Sequence, residues 1–189
     1  MDTPTVTLFL ALLAVAAQAI VVGAVLLFVV GRLSPAARSL GSRVAAEVGP
    51  QALGLAAGVA AVCTAGSLYL SEVAHFLPCR LCWYQRAAMY PLVLVLGASA
   101  VARFHRIRPF AAAVALVGGA VSCFHILVER YPNLETSSCD PNNPCSIIWV
   151  EKFGYLTIPT MALSGFALIL VLLAVARPSE PTTTAQEAP

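Results

Sequence analysis

The sequence predicts an all-α integral membrane protein: an antiparallel four-helix transmembrane bundle with one additional N-terminal transmembrane helix. Three observations carry this. The chain is 59% hydrophobic and 11% charged, whereas a soluble domain carries about 25% charged residues. Five apolar stretches reach or approach the ~20 residues a helix needs to cross a bilayer. Arginines gather in alternate connections between those stretches, as a multi-pass topology requires. A net charge of +2 and the lack of any basic run exclude a nucleic-acid partner.

The first stretch, Thr7–Val30, follows Asp2 and has no positive leader. It exceeds the ~7–15 apolar residues of a signal peptide. Cleavage after it would also strand the arginines that follow on the wrong side, so it reads as an uncleaved helix. The Gly31–Pro50 connection carries Arg32, Arg38 and Arg43 against Glu47. It is mildly amphipathic and is expected to lie along the inner membrane surface. Four core spans follow at Ala52–Ser71, Trp83–Val101, Phe110–Val128 and Ile158–Ala176. Pro50, Pro109 and Pro159 stand at or just before first-turn positions, where a missing N–H costs nothing. Pro91, inside the second core span, is expected to kink it. Small residues in the first and third core spans (Gly54, Gly58, Gly118, Gly119 among them) permit close helix approach in lipid.

The Ala102–Pro109 turn holds Arg103, Arg106 and Arg108 with no acid. With Gly31–Pro50 and the segment after Arg177 it is placed in the cytoplasm by the positive-inside rule. The Glu72–Cys82 and Glu129–Thr157 loops then face outwards, as does the N-terminus. Within the second loop, Ile147, Ile148, Trp149 and Phe153 alternate with Glu151 and Lys152. This suggests a short interfacial helix with Trp149 at headgroup level. The tail Pro178–Pro189 reads as disordered. The chain thus divides into residues 1–50 (helix and connection), a 51–177 core and a 178–189 tail.

Six cysteines fall into two kinds. Cys63 and Cys123 lie inside spans and read as small buried hydrophobes. Cys79 and Cys82 form a CxxC in one outer loop, and Cys139 and Cys145 bracket CDPNNPC in the other. Two structural staples, a four-thiolate zinc site and an exchanging redox relay all fit that spacing. Zinc is the weakest of these, because extracytoplasmic sulfurs tend to be oxidised and no further ligands cluster nearby. The setting of Cys82 favours chemistry. It lies at a helix N-terminus, where the dipole stabilises a thiolate. Arg86 follows one turn later on the same face, and an arginine at the edge of hydrocarbon is costly without a partner. No GxGxxG nucleotide fingerprint is present. The acceptor suited to that depth is a lipid-soluble quinone, with Arg86 to stabilise negative charge. His125, near the outer end of the third core span, is a candidate to add a hydrogen bond or a proton.

The segments PCRLCWYQRAAMYPL (Pro78–Leu92) and CDPNNPCSIIWVEKFGYLTIPTMAL (Cys139–Leu163) resemble the DsbB-type disulfide-bond formation proteins. The short second pair and SLYLSE (Ser67–Glu72) resemble the BdbC branch most. The resemblance covers roughly Ala52–Ala176. It implies a bacterial cytoplasmic (inner) membrane protein that reoxidises a DsbA-like thioredoxin-fold protein and reduces the membrane quinone pool, whether ubiquinone or menaquinone. By that resemblance Cys79 and Cys82 are the quinone-side pair, with Cys82 nearest the quinone. Arg86 and His125 fall on quinone-pocket positions. Cys139 and Cys145 are the distal pair, with Cys139 the target of the partner. Two departures stand out: the Thr7–Val30 helix is additional to the family's pattern, and only five residues separate Cys139 from Cys145.

The implied route runs by thiolate attack on sulfur at each transfer. The partner attacks Cys139, Cys145 attacks Cys79, and Cys82 is freed towards the quinone. Two other readings compete. A vitamin K epoxide reductase-like quinone reductase also combines a CxxC with loop cysteines, but its loop pair precedes the CxxC in the chain. A non-enzymatic membrane protein with two structural disulfides leaves CxLCWYQR and Arg86 unexplained.

Overall fold

The computed structural model describes residues 2–135, 139–140 and 142–177. Six α-helices account for most of them: α1 (Thr3–Leu33), α2 (Pro35–Val48), α3 (Ala52–Leu68), α4 (Arg80–Val101), α5 (Arg108–Arg130) and α6 (Ile158–Val175). The bundle closes as a ring in which α3 packs on α4, α4 on α5, α5 on α6 and α6 back on α3. The additional helix α1 lies outside this ring against α6. The architecture is the expected all-α membrane bundle. The expected disordered tail, Pro178–Pro189, lies outside the described residues.

Among the described residues, four helical segments are long and apolar enough to cross a membrane: Thr3–Leu33, Pro35–Val73, His105–Arg130 and Ile158–Val175. The fifth expected span is α4. At 22 residues it is long enough, but Arg80, Gln85 and Arg86 make its first two turns polar. Gln85 and Arg86 are nevertheless buried, because those turns line the site rather than lipid. Helix α4 remains helical through Pro91.

Proline starts α1, α2, α5 and α6 in their first turns, where the absent N–H has no intrahelical partner to lose. At the end remote from the cysteines, Arg108 donates to the Leu173 carbonyl at 3.0 Å. It thereby satisfies a terminal carbonyl of α6. The Arg177 N–H donates to the Gly49 carbonyl at 3.1 Å, tying the same end to the α2–α3 junction.

Close approach of α5 and α6 depends on Gly118. A Cβ there would overlap the ring of Phe166, which is fully buried. Helix α1 docks through a narrow stripe in which Thr7, Ala11, Ala14 and Gln18 recur every three or four residues, the spacing of one helix face. Gln18 donates to Ser164 Oγ at 2.9 Å and accepts from the Tyr155 hydroxyl at 2.8 Å.

Two expectations are corrected. The segment around Ile147–Phe153 does not form a helix. Glu151–Lys152 pairs antiparallel with Leu156–Thr157 as a small hairpin (β1, β2), with Phe153 and Gly154 both at positive φ. Consecutive left-handed residues suit a tight reversal between strands and end any helical run. Cys123 is exposed on the outside of the bundle rather than buried.

Replacing Gly118 by Val is expected to destabilise the bundle by about 1–3 kcal/mol, the usual penalty of overpacking. Gly119→Ala meets only ordinary contacts at 3.8 Å and is expected to be neutral. Thermal unfolding of the two variants in one detergent would separate them.

Candidate active site

Cys79 is the N-cap of α4, and its sulfur accepts the Cys82 backbone N–H at 3.3 Å. The extended backbone at Cys79 turns directly into the helix, so its side chain faces the unpaired N–H groups of the first turn. Cys82 lies one turn on, with the two sulfurs 3.0 Å apart and both thiols free. The Cys82 thiol hydrogen-bonds to Cys79 and holds it well below the ordinary thiol range, against the opposing effect of burial; the contact with His125 adds to the lowering. The thiol that the helix terminus acidifies is therefore Cys79, the N-cap, and not Cys82, which the sequence places at that terminus.

His125 reaches the pair from α5. Its Nε2 lies 3.6 Å from Cys79 Sγ and 3.0 Å from the Cys145 carbonyl. Its Nδ1 lies 3.2 Å from Gln85 Nε2. With the Gln85 amide donating to Nδ1, the ring proton sits on Nε2 and is shared between the thiolate and the carbonyl. One turn after His125, buried Glu129 accepts from the Thr157 hydroxyl at 2.6 Å.

The second pair is a disulfide, Cys139–Cys145, with Cα atoms 6.0 Å apart. Cys79, Cys139 and Cys145 pack in one buried cluster with Leu81 and Val128, and Cys82 borders it. The distal loop is held there from three sides. Glu135 accepts from the Cys145 N–H and from the Ser146 hydroxyl. Asn143 donates to the Pro78 carbonyl at 3.2 Å, joining the two cysteine loops. The Cys145 carbonyl is bonded by His125. All four outer cysteines thus meet at one end of the bundle, while Cys63 packs against Gly165 in mid-bundle and stands apart from them.

Arg86 points across to α3. Its Nε donates to Ser67 Oγ at 2.9 Å and its Nη2 to the Ser67 carbonyl at 2.8 Å, and the guanidinium lies 5.3 Å from the Trp83 ring centroid. α3 ends beside it in a π-helical turn, Tyr69–Val73. Such single turns recur at functional sites. Arg86, Cys82, Ser67 and Gln85 border a cavity of about 570 Å³ whose remaining walls are almost wholly apolar. Phe76 and Trp149 stack over its outer mouth with ring centroids 5.3 Å apart. Cys79, Cys82 and His125 also place one donor atom each within 4.8 Å, a set able to ligate a soft cation while both thiols are reduced.

A family model described as disulfide bond formation protein DsbB matches residues 50–176. The chain belongs to the DsbB family. It is 40% identical to disulfide bond formation protein C of Bacillus subtilis (strain 168) over 116 residues, covering 61% of this chain and 84% of that protein. A probable disulfide formation protein C 1 of Bacillus anthracis is 39% identical over 121 residues, with 64% and 87% covered. A probable disulfide formation protein of Oceanobacillus iheyensis (strain DSM 14371) is 40% identical over 110 residues, with 57% and 76% covered. No solved structure matches the chain significantly. The protein is thus a DsbB-type, BdbC-like disulfide-bond formation protein of the membrane. Its matched region contains all four outer cysteines, and α1 precedes it.

Two residues of this DsbB-type site were not singled out from sequence: Gln85, which fixes the His125 tautomer, and Ser67, which receives Arg86. Both lie in segments that carry the resemblance, and both are polar residues at membrane depth, which is the signal that could have found them.

With Cys63 and Cys123 replaced by Ala, thiolate absorbance at 240 nm is expected to titrate with a midpoint below that of an ordinary thiol. Cys82→Ala is expected to raise the Cys79 midpoint most, because it removes the strongest stabilising bond, and His125→Ala is expected to raise it less. The sign is fixed: each loss makes the thiolate harder to form, so the absorbance appears at higher pH.

Proposed function

We propose that this protein is a dithiol:quinone oxidoreductase of the bacterial inner membrane. It reoxidises an extracytoplasmic DsbA-like thioredoxin-fold partner through Cys139–Cys145 and then Cys79–Cys82. One observation carries this reading: both cysteine pairs pack in a single buried cluster whose Cys82 side opens on an apolar cavity with a buried arginine at its rim. A structural-staple reading accounts for neither the free, hydrogen-bonded CxxC nor Arg86.

The partner's thiolate attacks Cys139, the less deeply buried residue of the disulfide, at 8% exposure against 1% for Cys145. The Cys139–Cys145 bond breaks and Cys145 leaves as a thiolate. Cys145 then attacks Cys79 of the oxidised CxxC, forming a Cys145–Cys79 bond and releasing Cys82 as a thiolate. Shared burial of Cys79 and Cys145 keeps that path short, and the His125 N–H faces the Cys79 sulfur and the Cys145 carbonyl, where it stabilises Cys79 as a thiolate. The partner's second thiolate attacks its own mixed disulfide with Cys139 and leaves oxidised. The freed Cys139 attacks Cys145, restoring the distal disulfide and returning Cys79 as a thiolate. Two electrons now reside on Cys79 and Cys82, leaving one disulfide and one dithiol.

The cavity fits a quinone: its polar residues sit at the Cys82 end and its other walls are apolar, matching a polar ring on an apolar tail. When bound there a quinone supplies a two-electron, two-proton acceptor. Arg86 and Ser67 are placed to hold the ring, Trp149 and Phe76 to exclude water, and His125 to give up or take a proton beside Cys79.

In this reading Cys82→Ser abolishes quinone reduction by the purified protein but leaves Cys139 able to form a mixed disulfide with the partner. Normal turnover by Cys82→Ser would overturn it. Arg86→Met is expected to lower kcat/KM for quinone on the order of a hundredfold, the usual effect of losing one preorganised donor. Trapping of the partner on Cys139 is expected to remain intact.

A further inference from the structure

The helix outside the four-helix ring has no part in the cysteine chemistry, yet it walls the cavity that the chemistry opens on. Leu10, Leu13, Ala14, Ala16, Ala17 and Ile20 of α1 all line it. The opposite wall is α3, from Gly54 to Ser67, with Leu70 and Ser71 of the π-helical turn beyond it, and α6 forms the floor through residues such as Met161, Gly165 and Leu168. Along α3 this is about 20 Å of helix axis at the ~1.5 Å rise per residue. Polarity is confined to one end: Ser67, Ser71, Gln85, Arg86 and Tyr90 lie near Cys82. From Val62 back to Gly54 the walls offer only hydrocarbon, glycine and the Cys63 thiol.

Two glycines mark this apolar arm as open space. A Cβ built at Gly54 or Gly58 meets nothing within 4 Å. These glycines therefore serve no close helix contact, unlike Gly118 and Gly165. They widen the groove on the α3 side, and α1 presents Ala16 and Ala17 to it from the other.

We propose that α1 completes a binding groove for the polyprenyl tail of the quinone, with the tail lying between α1 and α3 and the ring at Arg86. This rests on the quinone reading above. The occupant is fixed by shape and polarity: a long single chain, apolar along its length, continuous with a polar head beside Cys82. Helix α1 is then a positioning element that converts lipid partition of the tail into orientation of the ring.

The test uses full-length protein in lipid nanodiscs and two probes, a long-tailed quinone and the same ring without its tail. Binding is read by quenching of tryptophan fluorescence. Both tryptophans lie at the head end, Trp149 on the cavity wall and Trp83 beneath Arg86. Gly58→Phe fills the groove from α3 and Ala16→Phe fills it from α1. Each is expected to reduce the binding preference for the tailed over the tail-less quinone by tenfold or more. The preference in quinone reduction, as a ratio of kcat/KM values, is expected to fall in parallel. Val22→Phe, on an exposed part of α1 that does not line the cavity, is expected to keep the wild-type preference. An unchanged preference in both groove variants overturns the groove. A change in Gly58→Phe alone overturns the part assigned to α1. Wild-type protein that neither binds nor reduces the tail-less ring overturns the quinone reading, and the groove assignment falls with it.

Discussion

A polar side chain inside hydrocarbon has to find its partners within the protein, and His125 finds three of them on two segments, α4 and the distal loop. One ring nitrogen is bonded by Gln85 of α4. The other faces both the Cys79 sulfur at the start of α4 and the Cys145 carbonyl of the distal loop. This one imidazole ties α5 to α4 and to the distal loop, and places its proton between the Cys79 sulfur and the Cys145 carbonyl. Glu135 and Asn143 hold the same loop from its solvent side, so the disulfide is clamped between a membrane helix and its own connection.

The second polar anchor is Arg86, and it works differently. Its charge is met by the hydroxyl and carbonyl of Ser67, not by a carboxylate. A carboxylate partner would neutralise the guanidinium. Neutral oxygens leave its positive field available at the rim of the cavity while satisfying its donors. That arrangement requires α3 and α4 to be closely apposed and rigid. The bundle supplies the apposition directly, since α3 packs along α4, and α3 is held from its other side where Cys63 meets Gly165 of α6.

Much of this was legible in the sequence, and the reasons for the exceptions are physical. Span positions follow from composition, and the prolines at helix starts follow from backbone chemistry. The four outer cysteines declare themselves by number and place, and Arg86 by its cost. His125 was ambiguous, because a lone histidine on an apolar helix is more often a packing residue; its importance is a matter of what α4 and a loop residue twenty positions away bring to it. The roles of Ser67 and Gln85 were hidden for the same reason, since each acts through a partner on another helix, and only their polarity at membrane depth marked them. The hairpin at Glu151–Thr157 was misread as a helix because alternating apolar residues in a short run fit either form. The decisive detail, left-handed backbone at Phe153 and Gly154, is carried by one glycine and its neighbour.

The docking of α1 has a consequence in time. Gln18 makes its hydrogen bonds to Ser164 and Tyr155, which lie 146 and 137 positions further along the chain. Ser164 is independent of this contact, since its own hydroxyl donates to the Thr160 carbonyl one turn back at 2.8 Å. The dependence is one-sided: α6 is complete without α1, but the amide of α1 is not complete without α6. Ribosomes add about 5–20 residues per second, so α1 waits on the order of 10 s for the helix that satisfies it. Throughout that interval its glutamine has to be sheltered by its own backbone, by water or by the insertion machinery, and a helix made before the core is settled only after it.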